Sequence, residues 1–454
     1  MINFQRDIIK DLESWKRSPT RKPLLLRGAR QVGKTTVVNI FAEQYEQYIY
    51  LNLEQSGKDL GFTDYGKVND LLEKIFFLNN KDIGKLNTTL LFIDEIQEVP
   101  GALNMLRYFY EEVPNLNVIA AGSLLETAIN GQTKIPVGRV EYKVVRPFSF
   151  HEFLLAMGET RLADELLKVP ARDFTHPKML QWFNTYVLIG GMPEVIKHYA
   201  ANRNLLALGD IYQSLLQSYI EDVEKYGRNG NIINIIRHII SNSFLEAGNR
   251  IKFQHFGNSN YGSREVGECM QTLQRVMLLH LVYPTTNTHL PIVADKKKSP
   301  RLQVLDTGML NHFAGLQKDL LSGNELDNIY KGKVVEHIVG QELLAARYNI
   351  LNELHFWVRE KANATAEVDF VIPHDGLIIP IEVKSGAAGT LRSLHAFMDA
   401  TGHDYAIRLY GGPIKTDRVQ TLKGKPYTLL SLPYYLAGRM EEYLDWMKNA
   451  AKGA

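Results

Sequence analysis

The chain has 454 residues, 45% of them hydrophobic, and Lys+Arg 52 against Asp+Glu 50 leaves a formal charge of +2. That length supports several packed cores, while so small a net charge excludes a molecule committed as a whole to nucleic acid; any basic surface must be local. The one cysteine, Cys269, excludes an internal disulfide framework and reads as a small buried hydrophobe, the charged N-terminus lacks a secretory pattern, and no run is apolar enough to span a bilayer, so the cytoplasm is the expected location.

In chain order, the first informative element is the apolar run PLLL at residues 23–26, followed by GARQVGKTT and then by TTVVNIFAEQY, whose apolar spacing is helical. Gly28, Ala29, Arg30, Gln31, Val32, Gly33, Lys34, Thr35 and Thr36 therefore fit a phosphate-binding loop between a strand and a helix. Backbone N–H groups would curl around anionic oxygens, Lys34 would reach the β and γ phosphates of ATP, and Thr35 would offer its hydroxyl to Mg²⁺. An ordinary glycine turn is the bland alternative. Next, TTLLFIDEIQEV predicts a buried parallel strand over residues 90–93 ending in Asp94 and Glu95. Asp94 would hold the Mg²⁺ through water and Glu95 would polarise the attacking water, which predicts hydrolysis; two acids at a solvated strand end are the alternative. Another strand, over residues 118–121, leads to Ser123, read either as a sensor of the γ phosphate or as a helix N-cap. Arg139 and Arg146 are candidates to stabilise transition-state charge in cis or in trans, with a surface ion pair as probable for either.

The combination LLLRGARQVGKTT, LLFIDEIQ, AAGSLLE, VGRV, RPFSFHEF and LIGGMPEVI resembles the bacterial and archaeal predicted AAA+ ATPases that carry a C-terminal domain of unknown function. The resemblance covers nearly the whole chain. It implies a multidomain α/β protein: a P-loop NTPase core with a parallel sheet, a helical lid, a winged-helix-like segment and a nuclease-like terminal domain.

Beyond the core, DIYQSLLQSYIEDVEKYG and NIINIIRHIISNSF carry helical apolar stripes, with Asp222 read as an exposed helix acid. From residue 252 the pattern of short helix, turn, second helix and strand is the order of a winged helix, which either binds DNA or packs domains together. The cluster DKKKSPR, residues 295–301, either meets phosphates or forms a solvated hairpin tip.

Further on, AEVDFVIPHDGLIIPIEVKSG holds a two-residue hairpin signal at Asp375-Gly376. Centring the turn there sets Asp369 opposite Glu382 and Glu367 opposite Lys384, with Val368, Phe370, Ile372, Ile379, Ile381 and Val383 on the other, core face. Opposed β carbons lie about 4.5–5.5 Å apart, so Asp369 and Glu382 could share a divalent cation. An Asp followed by Glu-x-Lys on the next strand resembles the PD-(D/E)xK nucleases, whose carboxylates bind Mg²⁺ while the lysine orients or activates water. Glu336, near the start of the helical GKVVEHIVGQELLAARY, would supply the additional glutamate. Pro380 departs from the pattern, being tolerable only at an edge or non-bonding position. A cross-strand Glu367–Lys384 ion pair with solvated Asp369 and Glu382 is the alternative.

The expected divisions are 1–157 ATPase core, 158–230 helical lid, 231–324 winged-helix-like segment and 325–454 restriction-endonuclease-like domain with a closing helix. The functional expectation is an ATP-binding and ATP-hydrolysing protein of DNA processing or surveillance, with no membrane and with a homo-oligomer left open. Its alternative is a regulatory ATP switch whose terminal domain is a catalytically inactive binding module.

Overall fold

The computed structural model describes residues 4–55, 62, 67–122, 138–222, 230–317, 329–351, 353–361, 364–384 and 391–452. The chain divides into two compact units, the first formed by residues 1–146 with 275–278 and 348–351, the second by the remainder of 147–454.

In the first unit, five strands form one parallel sheet in the order β2-β3-β4-β1-β5: β1 (Leu24–Arg27), β2 (Gln47–Asn52), β3 (Thr89–Asp94), β4 (Asn117–Ala121) and β5 (Glu141–Val144). The near-continuous apolar runs LLL, LLFI and VIAA are what a sheet covered on both faces requires. One face contributes Leu25, Ile49, Leu91, Ile93, Val118 and Ala120 to a cluster with Leu71, Leu72, Ile75 and Phe76 of the Val68–Leu78 helix and Leu103, Leu106 and Phe109 of the Pro100–Glu112 helix. Each such side chain contributes about 1.5–3 kcal/mol by leaving water. Their alternates Leu24, Leu26, Leu90, Phe92 and Ile119 are also fully buried, and the Lys34–Ala42 helix packs on β3 and β4.

The second unit holds two sheets. One has the order β7-β6-β8-β9, from β6 (Leu279–Thr285), β7 (Arg301–Val304), β8 (His355–Lys361) and β9 (Ala364–Val368). The other runs β10-β11-β12-β14-β13, from β10 (Phe370–His374), β11 (Leu377–Val383), β12 (Tyr405–Tyr410), β13 (Lys415–Gln420) and β14 (Pro426–Pro433). The division expected at residue 324 does not separate sheets. The helices Gly230–Glu246 and Ser263–Arg275 precede an antiparallel β6–β7 pair, as a winged helix would have, but β6 also pairs in parallel with β8, so this pair is built into the terminal domain's sheet. The expected break at residue 157 also shifts, to Arg146. The Phe150–Ala156 helix belongs with the second unit, where Phe150 and Phe153 pack against Phe183 and Tyr186, and the Phe150 N–H donates to Glu342 at 3.0 Å.

Two motifs receive a structural reason. In RPFSFHEF, Ser149 and Glu152 form a capping box that starts this helix. In LIGGMPEVI, Gly190 adopts φ 73°, and a Cβ there would lie 2.2 Å from the Asp306 carboxylate, which accepts from the Gly191 N–H at 2.6 Å and from the Met309 N–H at 3.0 Å. Asp222, expected to be exposed, is buried, whereas Cys269 is buried as expected. Among the described residues no helix is long and apolar enough to cross a membrane.

Candidate functional sites

The first site lies at the C-terminal ends of β1 and β3, which are separated in the sheet by β4. Glycine is needed at Gly28 because φ is 153° and a Cβ would lie 2.3 Å from the Val145 carbonyl oxygen. Gln31 (φ 63°) and Gly33 (φ 93°) are also left-handed, which curls the loop into the N-terminus of the Lys34–Ala42 helix. Lys34 is buried, and its ammonium donates to the Gly28 and Ala29 carbonyls at 3.0 and 2.9 Å. Thr35 Oγ1 donates to Asp94 Oδ2 at 2.7 Å, so the two expected magnesium ligands meet. These are hard oxygen donors beside a helix N-terminus, a donor set suited to Mg²⁺ bound together with phosphates.

Around this pair the structure adds residues that the sequence did not single out. Tyr50 donates its hydroxyl to Asp94 Oδ2 at 3.2 Å, and burial together with the Asp94 charge raises the Tyr50 pKa. Glu95 adopts φ 50°, sparsely populated for a non-glycine, and its carboxylate accepts from Gln97 Nε2 at 2.6 Å. Tyr50 stands on β2 in register with Phe92 on β3, a pairing that no local pattern announces. Arg139 is exposed and paired with Glu111 at 2.8 Å, and Arg146 is buried, which lowers its pKa to about 10. Ser123 lies outside the described residues.

The second site is built on the β10–β11 hairpin. Its register runs from His374↔Leu377 to Phe370↔Ile381, as a turn centred on Asp375-Gly376 dictates. There the pattern expected from sequence stops. The chain bends at Asp369, and the preceding strand β9 pairs with β8 instead, Trp357 facing Val368 and Val358 facing Glu367. Asp369 Oδ2 accepts the Val383 N–H at 2.7 Å, so a side chain takes over the donor that a continuing ladder would have used. The expected Glu367–Lys384 pair is therefore not formed. Lys384 pairs with Glu382 at 2.5 Å, Glu367 pairs with Arg301 and Arg250, and Val368 joins the core containing Val371 and Ile378. Pro380 lies in an interior strand, yet the β11–β12 ladder starts at Ile381, so the missing donor falls where only β10 is alongside.

Three carboxylates consequently converge on one guanidinium, and a fourth, Glu382, pairs with Lys384. Arg301, buried on β7, lies 3.4 Å from Glu336 and 4.0 Å from Asp369 Oδ1, hydrogen-bonds Glu367, and donates to the Asp369 carbonyl at 3.2 Å. Of the DKKKSPR cluster, this arginine points inward while Lys296 and Lys297 are exposed. Burial, reinforced by the Asp369 charge, raises Glu336 to about 8 and Glu382 to about 7, and burial raises Asp369. Among the described residues Glu382 Oε2 is buried without a hydrogen-bond partner, an acceptor that a divalent cation would satisfy, so the chemistry of the Asp369 and Glu382 oxygens fits a metal.

Comparison with known families completes the description. Residues 20–154 match the family model of an AAA domain. This region is similar to an AAA domain. Downstream of the AAA domain, residues 180–320 match a Domain of unknown function (DUF8612) and residues 331–431 another (DUF4143). No curated protein matches the chain. Solved structures similar to it include the Walker-type ATPase paby2304 of Pyrococcus abyssi, at 15% identity over 68% of this chain and 95% of that one, TM-score 0.44. The Thermotoga maritima RuvB Holliday junction branch migration motor matches at 16% identity over 65% and 93%, TM-score 0.28. The Aeropyrum pernix Orc1 protein in complex with DNA matches at 13% over 69% and 91%, TM-score 0.27. With TM-scores this low, nothing is carried from these proteins to this chain.

Proposed function

We propose that the protein is a magnesium-dependent ATPase whose nucleotide state governs a nuclease-like centre acting on DNA. In the AAA domain, backbone N–H groups of residues 28–36 and the Lys34 ammonium bind the phosphates, Thr35 and Asp94 hold the magnesium, and Glu95 orients and deprotonates water, with Gln97 fixing its carboxylate. The observation that carries this reading is the Thr35–Asp94 contact of 2.7 Å at the mouth of the glycine loop. Magnesium, held by Thr35 and Asp94, would supply neutralisation of phosphate charge.

In the second unit, Asp369 and Glu382 would hold a divalent ion, Glu336 would stand behind them, and Lys384 would orient the hydrolytic water. The placement of Arg301 among these acids favours a second reading, in which this centre binds nucleic acid or protein without cutting it. Divalent-metal titration with linear and branched DNA separates the two. Cleavage abolished by Glu382→Ala and by Lys384→Ala supports a nuclease, whereas ATP turnover without cleavage under any metal supports the binding module. DNA affinity that is the same with and without ATP, and the same in Lys34→Ala, would refute nucleotide control.

A further inference from the structure

We propose that Arg301 is a resident counter-cation of the carboxylate basin, restricting it to one divalent ion held by Asp369 and Glu382 and weakening that ion's binding while the guanidinium stays in place. The proposal rests on reading the basin as a metal centre, and it goes beyond that reading by assigning a residue that controls occupancy.

Glu336, Glu367, Asp369 and Glu382 lie near enough to act on one another's charge, and acidic centres of this kind can hold one divalent ion or two. Here the positive charge is unevenly shared. Arg301 serves Glu336 and, together with Arg250, Glu367, and it reaches the main-chain carbonyl of Asp369, so that half is already neutralised. Among the described residues the Lys384 ammonium pairs with Glu382 Oε1 and Oε2 stays buried without a partner, while Asp369 Oδ1 stands 4.0 Å from the guanidinium, beyond hydrogen-bond distance. The unfilled valence is thus on the Asp369–Glu382 side, and an ion there meets a fixed like charge across Asp369.

Arg301 is held firmly enough for this role. Its guanidinium lies 4.8 Å from the Phe356 ring centroid, β7 is paired along its length with β6, and the Arg301 main chain also pairs with that of Arg250. A like charge a few ångströms from a divalent ion weakens its binding by about tenfold or more at a protein-like dielectric constant.

The test is Mn²⁺ binding, read by electron paramagnetic resonance of the free ion, on the full chain carrying Asp94→Asn to silence the position beside the glycine loop. Only ions lost on Glu382→Gln are counted. The expected result is one such ion with Arg301 intact, bound about tenfold or more tighter, or joined by a second, in Arg301→Gln, and little changed in Arg301→Lys, which keeps the charge. Unchanged or weaker binding in Arg301→Gln overturns the proposal, as do two ions with Arg301 intact. Should Arg301→Gln fail to fold, the count with Arg301 in place decides: one ion upholds the proposal and two overturn it. If Glu382→Gln removes no ion at all, the metal-centre reading itself falls, an outcome distinct from a null effect of Arg301→Gln.

Discussion

Replacing Gly28 by alanine tests whether the glycine loop is held by the sheet edge. The new Cβ would lie 2.3 Å from the Val145 oxygen and 3.1 Å from Val32 Cγ2, at φ 153°. Carbon–oxygen contacts normally begin near 3.3 Å, so the loop and the segment after β5 must separate by about 1 Å. That movement weakens the hydrogen bond from the Val145 N–H to the Arg27 oxygen, now 2.8 Å. Strain of about 1–3 kcal/mol and a lost hydrogen bond of about 1 kcal/mol sum to about 2–4 kcal/mol. For a unit of this size, melting should fall by about 4–16 °C. Because two units can melt separately, calorimetry should be run with and without Mg-ATP to identify the transition that the nucleotide shifts. A 1 Å displacement of the phosphate cradle should also lower ATP turnover by up to about 100-fold. Gly138→Ala is the control, with φ 74° but nothing among the described residues within 4 Å of the added carbon, and should cost only the backbone strain. Normal turnover in Gly28→Ala, with melting within a degree of wild type, would refute the reasoning.

Four further outcomes are expected. Glu95→Gln should retain ATP affinity, measured with a fluorescent analogue, while phosphate release falls by about 100-fold or more, the scale of a general base. Arg139→Ala breaks an exposed, solvent-screened ion pair and should leave the chemical-denaturation midpoint nearly unchanged, with turnover unchanged; a large loss of turnover would place this arginine on phosphate instead. Gly190→Ala drives a carbon into the Asp306 carboxylate, and should cost several kcal/mol, read as earlier melting of the second unit while ATP binding persists. His337 accepts the Val304 N–H at Nε2, so its Nδ1–H donates to Thr307, and burial lowers its pKa from 6.5 to about 3. Its folded pKa being depressed, the stability it contributes is complete above pH 6.5 and lost as pH falls toward 3. Denaturation midpoints of the second unit should fall over that window, and His337→Gln should flatten the fall.

How much was legible in the sequence follows from the range of the interactions involved. The glycine loop, the β3 acids and the Asp375-Gly376 turn depend on backbone conformation, strand burial and side-chain alternation within a dozen or so residues, and those constraints are written locally. The hairpin register could thus be read as far as Phe370↔Ile381. It failed one residue further, because Asp369 can satisfy the Val383 N–H with its own carboxylate, and a strand freed from its ladder is free to choose another neighbour. That choice depends on β8, and β8 lies beside β6 only once the chain has returned from a distant segment. Tyr50 beside Asp94 and Arg301 among the carboxylates are of the same kind. Local sequence determined the glycine loop and which residue types lie at the strand ends; tertiary structure decided which charges meet, because burial and strand pairing bring together residues that no sequence period relates.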